Sequence, residues 1–185
     1  HGHGKFKQMP LGIRPKAETH NSPNHSSDNQ HQLLDAFYEH TYNLKSSYLR
    51  ITSSNDDENA LTHYFKAHKK EILLGAIGLV DDLNRILLDS LQCDYNLGTH
   101  FNFLVHSILN AFEIRLNDIG IFLSEDCVYL SERIFYQTLL TSYEKFAFIF
   151  APNEGLMDQC SKIHAKILEV KNSKGTEGHF IDLKG

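Results

Sequence analysis

From Leu34 to Ile51 the apolar side chains step by three and four residues, through Leu34, Phe37, Thr41, Leu44, Tyr48 and Ile51. That spacing returns each side chain to one face of a 3.6-residue helix, whereas a half-buried strand would bring up every second residue. The pattern continues along most of the chain. Asp56, Asp57 and Glu58 suit a helix N-terminus, and Leu61, Tyr64, Phe65, His68, Ile72 and Leu73 form the next stripe. Gly75 and Gly78 are expected to interrupt or narrow that helix before Leu79, Leu83, Ile86, Leu87 and Leu91 resume it, and two glycines three apart also permit close backbone approach. Tyr95–Gly98 reads as a turn. Ser124 is expected to cap a helix carrying Leu130, Ile134, Leu139, Phe146 and Phe150 and stopped by Pro152. Asn153 then caps a last helix with Leu156, Cys160, Ile163, Ile167 and Val170 on one side.

These stripes predict an all-α, single-domain bundle of about five to six helices over residues 31–171. A competing signal is local: Phe146, Phe148 and Phe150 alternate, and 119–123 and 127–130 are short apolar runs, so a small β element is placed near 119–150. Both ends differ from the body. Residues 1–30 hold three of the four prolines, and their four cations against two acids give +2, which leaves −7 for the remainder of a chain whose net charge is −5. This segment reads as a flexible basic, His- and Pro-containing arm. Residues 172–185, with three glycines and little to bury, read as a loose C-terminal tail.

Composition narrows the function. A mildly acidic chain lacks the basic surface that phosphate binding needs, so nucleic acid is not an expected partner. No apolar run is long enough to span a membrane. Cys93, Cys127 and Cys160 are too few and too scattered for a disulfide framework, which points to a reducing, cytoplasmic setting.

Twelve histidines raise the question of metal. Helical ligand pairs need i,i+3 or i,i+4 spacing; His63 and His68 are five apart, His100 and His106 six apart, and Cys160 with His164 is half a site. No metal or cofactor is therefore assigned. Phosphate-loop and dinucleotide glycine motifs are missing. His106 and Glu113 are two turns apart with no nucleophile beside them, and the adjacent acids Asp56–Asp57 and Asp81–Asp82 diverge around a helix, as solvated caps do. No catalytic residue is assigned, and a non-enzymatic role is favoured.

The most informative stretch is Tyr95–Phe112, eighteen residues without Asp, Glu, Lys or Arg. It predicts a central helix packed on more than one side. Thr99, Asn102, His106, Asn110 and Glu113 recur at helical spacing opposite Phe101, Leu104, Val105, Ile108 and Phe112. Solvated helix faces normally carry Lys and Glu, so an amide and imidazole stripe predicts a groove or interface that orients a protein partner. The arm offers a second contact: Lys5, Phe6, Lys7, Met9, Leu11, Ile13 and Arg14 mix cations with apolar anchors suited to an acidic groove on a partner. The sequence thus favours a soluble, non-enzymatic helical binding or adaptor protein, a subunit of a protein assembly of the bacterial accessory or effector kind. The alternative is a helical sensor domain that binds haem or a small apolar ligand, with His63, His68, His100 or His106 as the axial nitrogen.

Overall fold

The computed structural model describes residues 25–54 and 57–184, with side chains from Asp35 to Ser53 and from Asp57 to Ser173. Among these residues the chain folds as α1 (His25–Ser54), α2 (Glu58–Ala67), α3 (Lys69–Leu97), α4 (Phe101–Ala111), α5 (Glu113–Asp118), β1 (Ile121–Leu123), β2 (Val128–Leu130), α6 (Glu132–Thr141), a 3-10 turn (Tyr143–Phe146), α7 (Ala147–Phe150) and α8 (Leu156–Lys184). The all-α class holds, with six helices of ten residues or more and a two-stranded antiparallel hairpin as the only sheet among the described residues. That hairpin is the small β element. It falls at 121–130, and the alternating Phe146, Phe148 and Phe150 are instead buried around a helical turn. No helix among the described residues is long and apolar enough to cross a membrane.

Each stripe buries what its spacing promises. On α1 the sequence stripe goes inward: Phe37, Thr41, Leu44 and Ile51 are buried, Ser47 joins them, and Tyr48 packs partly buried against the same core. Thr41 is tolerated there because its hydroxyl donates to the Phe37 carbonyl at 2.7 Å. Asp57 caps α2 by accepting from the Asn59 amide at 3.0 Å, and Leu61 and Phe65 face the core. Packing against α1, α2, α4, α6, α8 and β2 makes α3 the axis of the molecule.

Several local expectations are corrected. The break between α2 and α3 comes at His68, and α3 runs straight through Gly75 and Gly78. Glycine is needed at 78 for close approach, since a Cβ there would lie 2.5 Å from the His40 ring. The turn begins later than Tyr95: α3 persists to Leu97 and closes on Gly98, whose φ of 66° is the left-handed conformation that ends helices. Ser124 closes the hairpin turn, its backbone amide donating to the Cys127 carbonyl at 2.8 Å, and Ser131 caps α6 instead. Asn153 is not a cap; it has a φ of 65° and its amide donates to the Asp158 carboxylate before α8 starts at Leu156. The bounds of the two terminal helices are His25–Ser54 for α1 and Leu156–Lys184 for α8.

The hairpin is fastened to α3 by one side chain. Asn84 Nδ2 donates to the Val128 carbonyl at 2.8 Å, and the Val128 amide donates back to Asn84 Oδ1 at 2.7 Å. Val128 pairs with Leu123 across the hairpin. The side-chain amide thus takes both backbone groups that Val128 turns away from β1.

Candidate functional site

Two sets of polar and apolar groups on opposite sides of α3 define the site. On the inner side, Asp82 and Asp89 are seven residues apart, close to two full turns, so both carboxylates face α1 and α8. His40 Nδ1 on α1 lies 2.8 Å from Asp82 Oδ2. His164 Nε2 on α8 lies 3.0 Å from Asp89 Oδ2, and Lys171 Nζ is 3.6 Å from Asp89 Oδ1. His164 is 1% exposed, with Phe37 edge-on to its ring at 6.5 Å and its Nδ1 buried without a hydrogen-bond partner. The hydrogen bond from Asp82 raises the His40 pKa against the opposing effect of burial. Burial pushes the Asp82 carboxyl above its ordinary range, and His40 only partly offsets it.

A His–Asp pair is acid–base equipment, yet here it is used up in joining helices. Asp89 and His164 are both buried, and among the described residues no Ser, Thr or Cys side chain is hydrogen-bonded to either. Cys160, one turn before His164, is buried, and burial pushes its thiol up to about 12, which leaves it protonated and inert. Among the described residues no three His, Cys, Asp or Glu side chains converge to hold a metal ion. The adjacent acids expected to be solvated caps are split by the fold, with Asp81 exposed and Asp82 buried. Sequence reasoning missed this seam, although Asp82 and Asp89 on a face shared with Ile86 and Cys93 were a legible signal.

Thr99 and Asn102 of the polar stripe serve the start of α4. Asp94 accepts from the Thr99 hydroxyl at 2.5 Å and from the amides of Phe101 and Asn102 at 2.8 and 2.9 Å, and Asn102 Nδ2 donates to Ser90 Oγ at 3.1 Å. Burial works against the Asp94 carboxylate, but these hydrogen bonds outweigh it and hold the pKa below the ordinary range. His106 is half-buried, Asn110 is exposed, and Glu113 belongs to α5 and is exposed. The stripe is therefore divided: two members tie the α3–α4 hairpin together and three remain at the surface.

The expected central helix does pack on more than one side, against α3 and α8, but one face of it is open. On α4 only Val105 and Leu109 are buried, while Phe103 is 73% exposed and Leu104 half-exposed. On α3, Leu88, Leu91 and Tyr95 follow Asn84 at four, seven and eleven residues, so they continue the face that β2 covers at Asn84. Among the described residues nothing covers them: Leu88 and Leu91 are half-exposed and Tyr95 is 91% exposed. From Ile86 to Phe112 the only Asp, Glu, Lys or Arg side chains are Asp89, buried, and Asp94, spent on the α4 N-terminus, so this stretch shows solvent no such charge beyond that cap, with the exposed Arg85 and Glu113 at its two ends.

The proposed haem ligands do not gather. His63 and His100 are exposed, His68 stacks on Tyr64 at 4.2 Å, and His106 is on the outer hairpin. The apolar cavity between α1, α2 and α6, lined by Leu44, Tyr48, Ile51, Phe65 and Leu139 among others, measures about 10 Å3, the room one water needs. The arm residues Lys5, Phe6, Lys7, Met9, Leu11, Ile13 and Arg14 lie outside the described residues. Comparisons with protein-family models, curated proteins and solved structures returned no match.

Proposed function

We propose that the chain is a non-enzymatic helical binding subunit of a protein assembly and that it docks through the outer surface of the α3–α4 hairpin. One observation carries this reading: twenty-seven consecutive residues, Ile86–Phe112, expose leucines, a tyrosine and a phenylalanine with no exposed charge beside the Asp94 cap. Charged residues are depleted and aromatics enriched at the centres of protein interfaces, and a surface that stays in water ordinarily carries Lys and Glu. Single exposed leucines need no explanation, but an uncharged helical hairpin does. His106 and Asn110 supply hydrogen-bonding groups beside the apolar contacts.

The inner seam supports the non-enzymatic part, because its histidines and carboxylates are engaged with one another between helices. A cytoplasmic setting is proposed with it, since Cys93, Cys127 and Cys160 are all unpaired. A protein partner has far more to grip than a small apolar ligand, for which the cavity beside Tyr48 offers the room of one water. The test is site-specific photo-crosslinking in the native cell. A crosslinker at Tyr95 or Phe103 should give discrete protein adducts that disappear with Leu91→Glu, while one at the exposed Lys66 of α2 gives none of them. Identical adducts from Lys66 and Tyr95, or none from Tyr95 and Phe103, would refute the reading.

A further inference from the structure

We infer that the partner seated on the α3–α4 surface is a second copy of this chain, in a two-fold symmetric pair; the inference rests on the binding reading above and adds the identity of the occupant. In a two-fold interface the same patch faces itself, so groups near the axis meet their own copies. A Lys or Glu cannot pair with itself. An amide, a hydroxyl and a neutral imidazole can, because each carries a donor and an acceptor. From Ile86 to Phe112 the polar side chains exposed to solvent are of that second kind, Gln92, Tyr95, Asn96, His100, Ser107 and Asn110, with the exposed Arg85 one turn before Leu88 at the edge of the stretch.

Charge points the same way. The chain carries a net −5, so two copies meeting on an ordinary face would bring like charges together. The hairpin is a surface on which they need not. Area is consistent with a lasting contact. On α3, Leu88, Leu91 and Tyr95 share one helix face, and Tyr95 is 91% exposed; an aromatic ring with on the order of 150–250 Å2 to bury is a substantial contribution to the ~800 Å2 per partner that a standard interface removes from water.

The full chain in sedimentation equilibrium should show twice its 21.2 kDa. Tyr95→Glu and Phe103→Glu, both at exposed positions, should each weaken the pair by roughly 100-fold or more by burying two like carboxylates, with the circular dichroism spectrum unchanged. Leu74→Glu, half-exposed near the other end of α3, should leave the mass doubled. A wild-type mass of one chain well above micromolar concentration would overturn the inference, and so would a pair that survives both hairpin substitutions. Should either glutamate variant fail to fold, a photo-crosslinker at Tyr95 of the purified chain decides: an adduct of two chains supports the pair, and its absence overturns it. A single-chain mass together with cellular adducts from Tyr95 to another protein would sink the second copy while leaving the docking surface in place.

Discussion

The ring of His40 occupies the space that a Cβ on Gly78 would need, 2.5 Å from Cγ and 2.7 Å from Nδ1. It cannot simply swing aside, because the same Nδ1 is hydrogen-bonded to Asp82 at 2.8 Å. In an open helix interior, replacing glycine by alanine would gain up to about 1 kcal/mol of helix propensity. Here Gly78→Ala should instead destabilise the protein by about 1–3 kcal/mol. In the His40→Ala background most of that loss should vanish, which a double-mutant cycle in urea measures. An additive cycle would show that the two residues do not meet.

The same pair sets a pH dependence. His40 has a folded pKa above its unfolded 6.5, so its contribution to stability is complete below 6.5 and is lost as pH rises through the folded value. Asp82, raised by burial, acts with the same sign above 3.8, since the folded state holds a proton that the unfolded chain has released. Glu39 and Asp81 add to the attraction on His40, and His164 works against the rise at Asp82. The urea midpoint should fall between a pH just below 6.5 and one well above it, and the fall should shrink in His40→Gln. A wild-type midpoint that rises over that interval would contradict the sign.

Asp89 joins two helices to α3 through His164 and Lys171. Removing the carboxylate leaves a buried His164 ring nitrogen without its hydrogen-bond partner, so Asp89→Ala should lower stability by about 1–3 kcal/mol. Lys171 reaches the same carboxylate from a partly exposed position at 3.6 Å, and Lys171→Ala should cost about 1 kcal/mol or less. Chemical denaturation of the two variants checks the order; equal losses would mean that Lys171, and not His164, carries the contact.

Cys127 is exposed in the hairpin turn, whereas Cys93 and Cys160 are buried. Iodoacetamide at neutral pH should modify Cys127 alone in the folded protein and all three in urea, read by mass spectrometry of the peptides. Rapid labelling of Cys160 under native conditions would contradict both its burial and its raised pKa.

What the sequence disclosed follows from which forces are periodic. Leu34–Ile51 and Leu156–Val170 announced helices because burial repeats with the helical turn, and most of the side chains read as core from the α1 stripe are core. Helix ends were less legible: His68, Gly98 and Ser131 terminate or cap through single backbone geometries that leave little trace in composition. Of the two readings of Gly75 and Gly78, a break in the helix and room for close approach, the second holds at Gly78, where the His40 ring is the group that approaches. The uncharged Tyr95–Phe112 stretch packs on two helices as expected, yet Tyr95 and Phe103 stand in water, because absence of charge does not tell core from uncovered surface. The Asp89–His164 pair was out of reach, as its partners are seventy-five residues apart.

Asn84 gives the hairpin a quality that short exposed strands usually lack. By filling the amide and carbonyl of Val128 on the flank away from β1, it acts as a one-residue substitute for a third strand. A foreign strand seeking to extend the ribbon there finds no vacant ladder, so the edge is blunted as a template for aggregation without a proline, a bulge or a lysine.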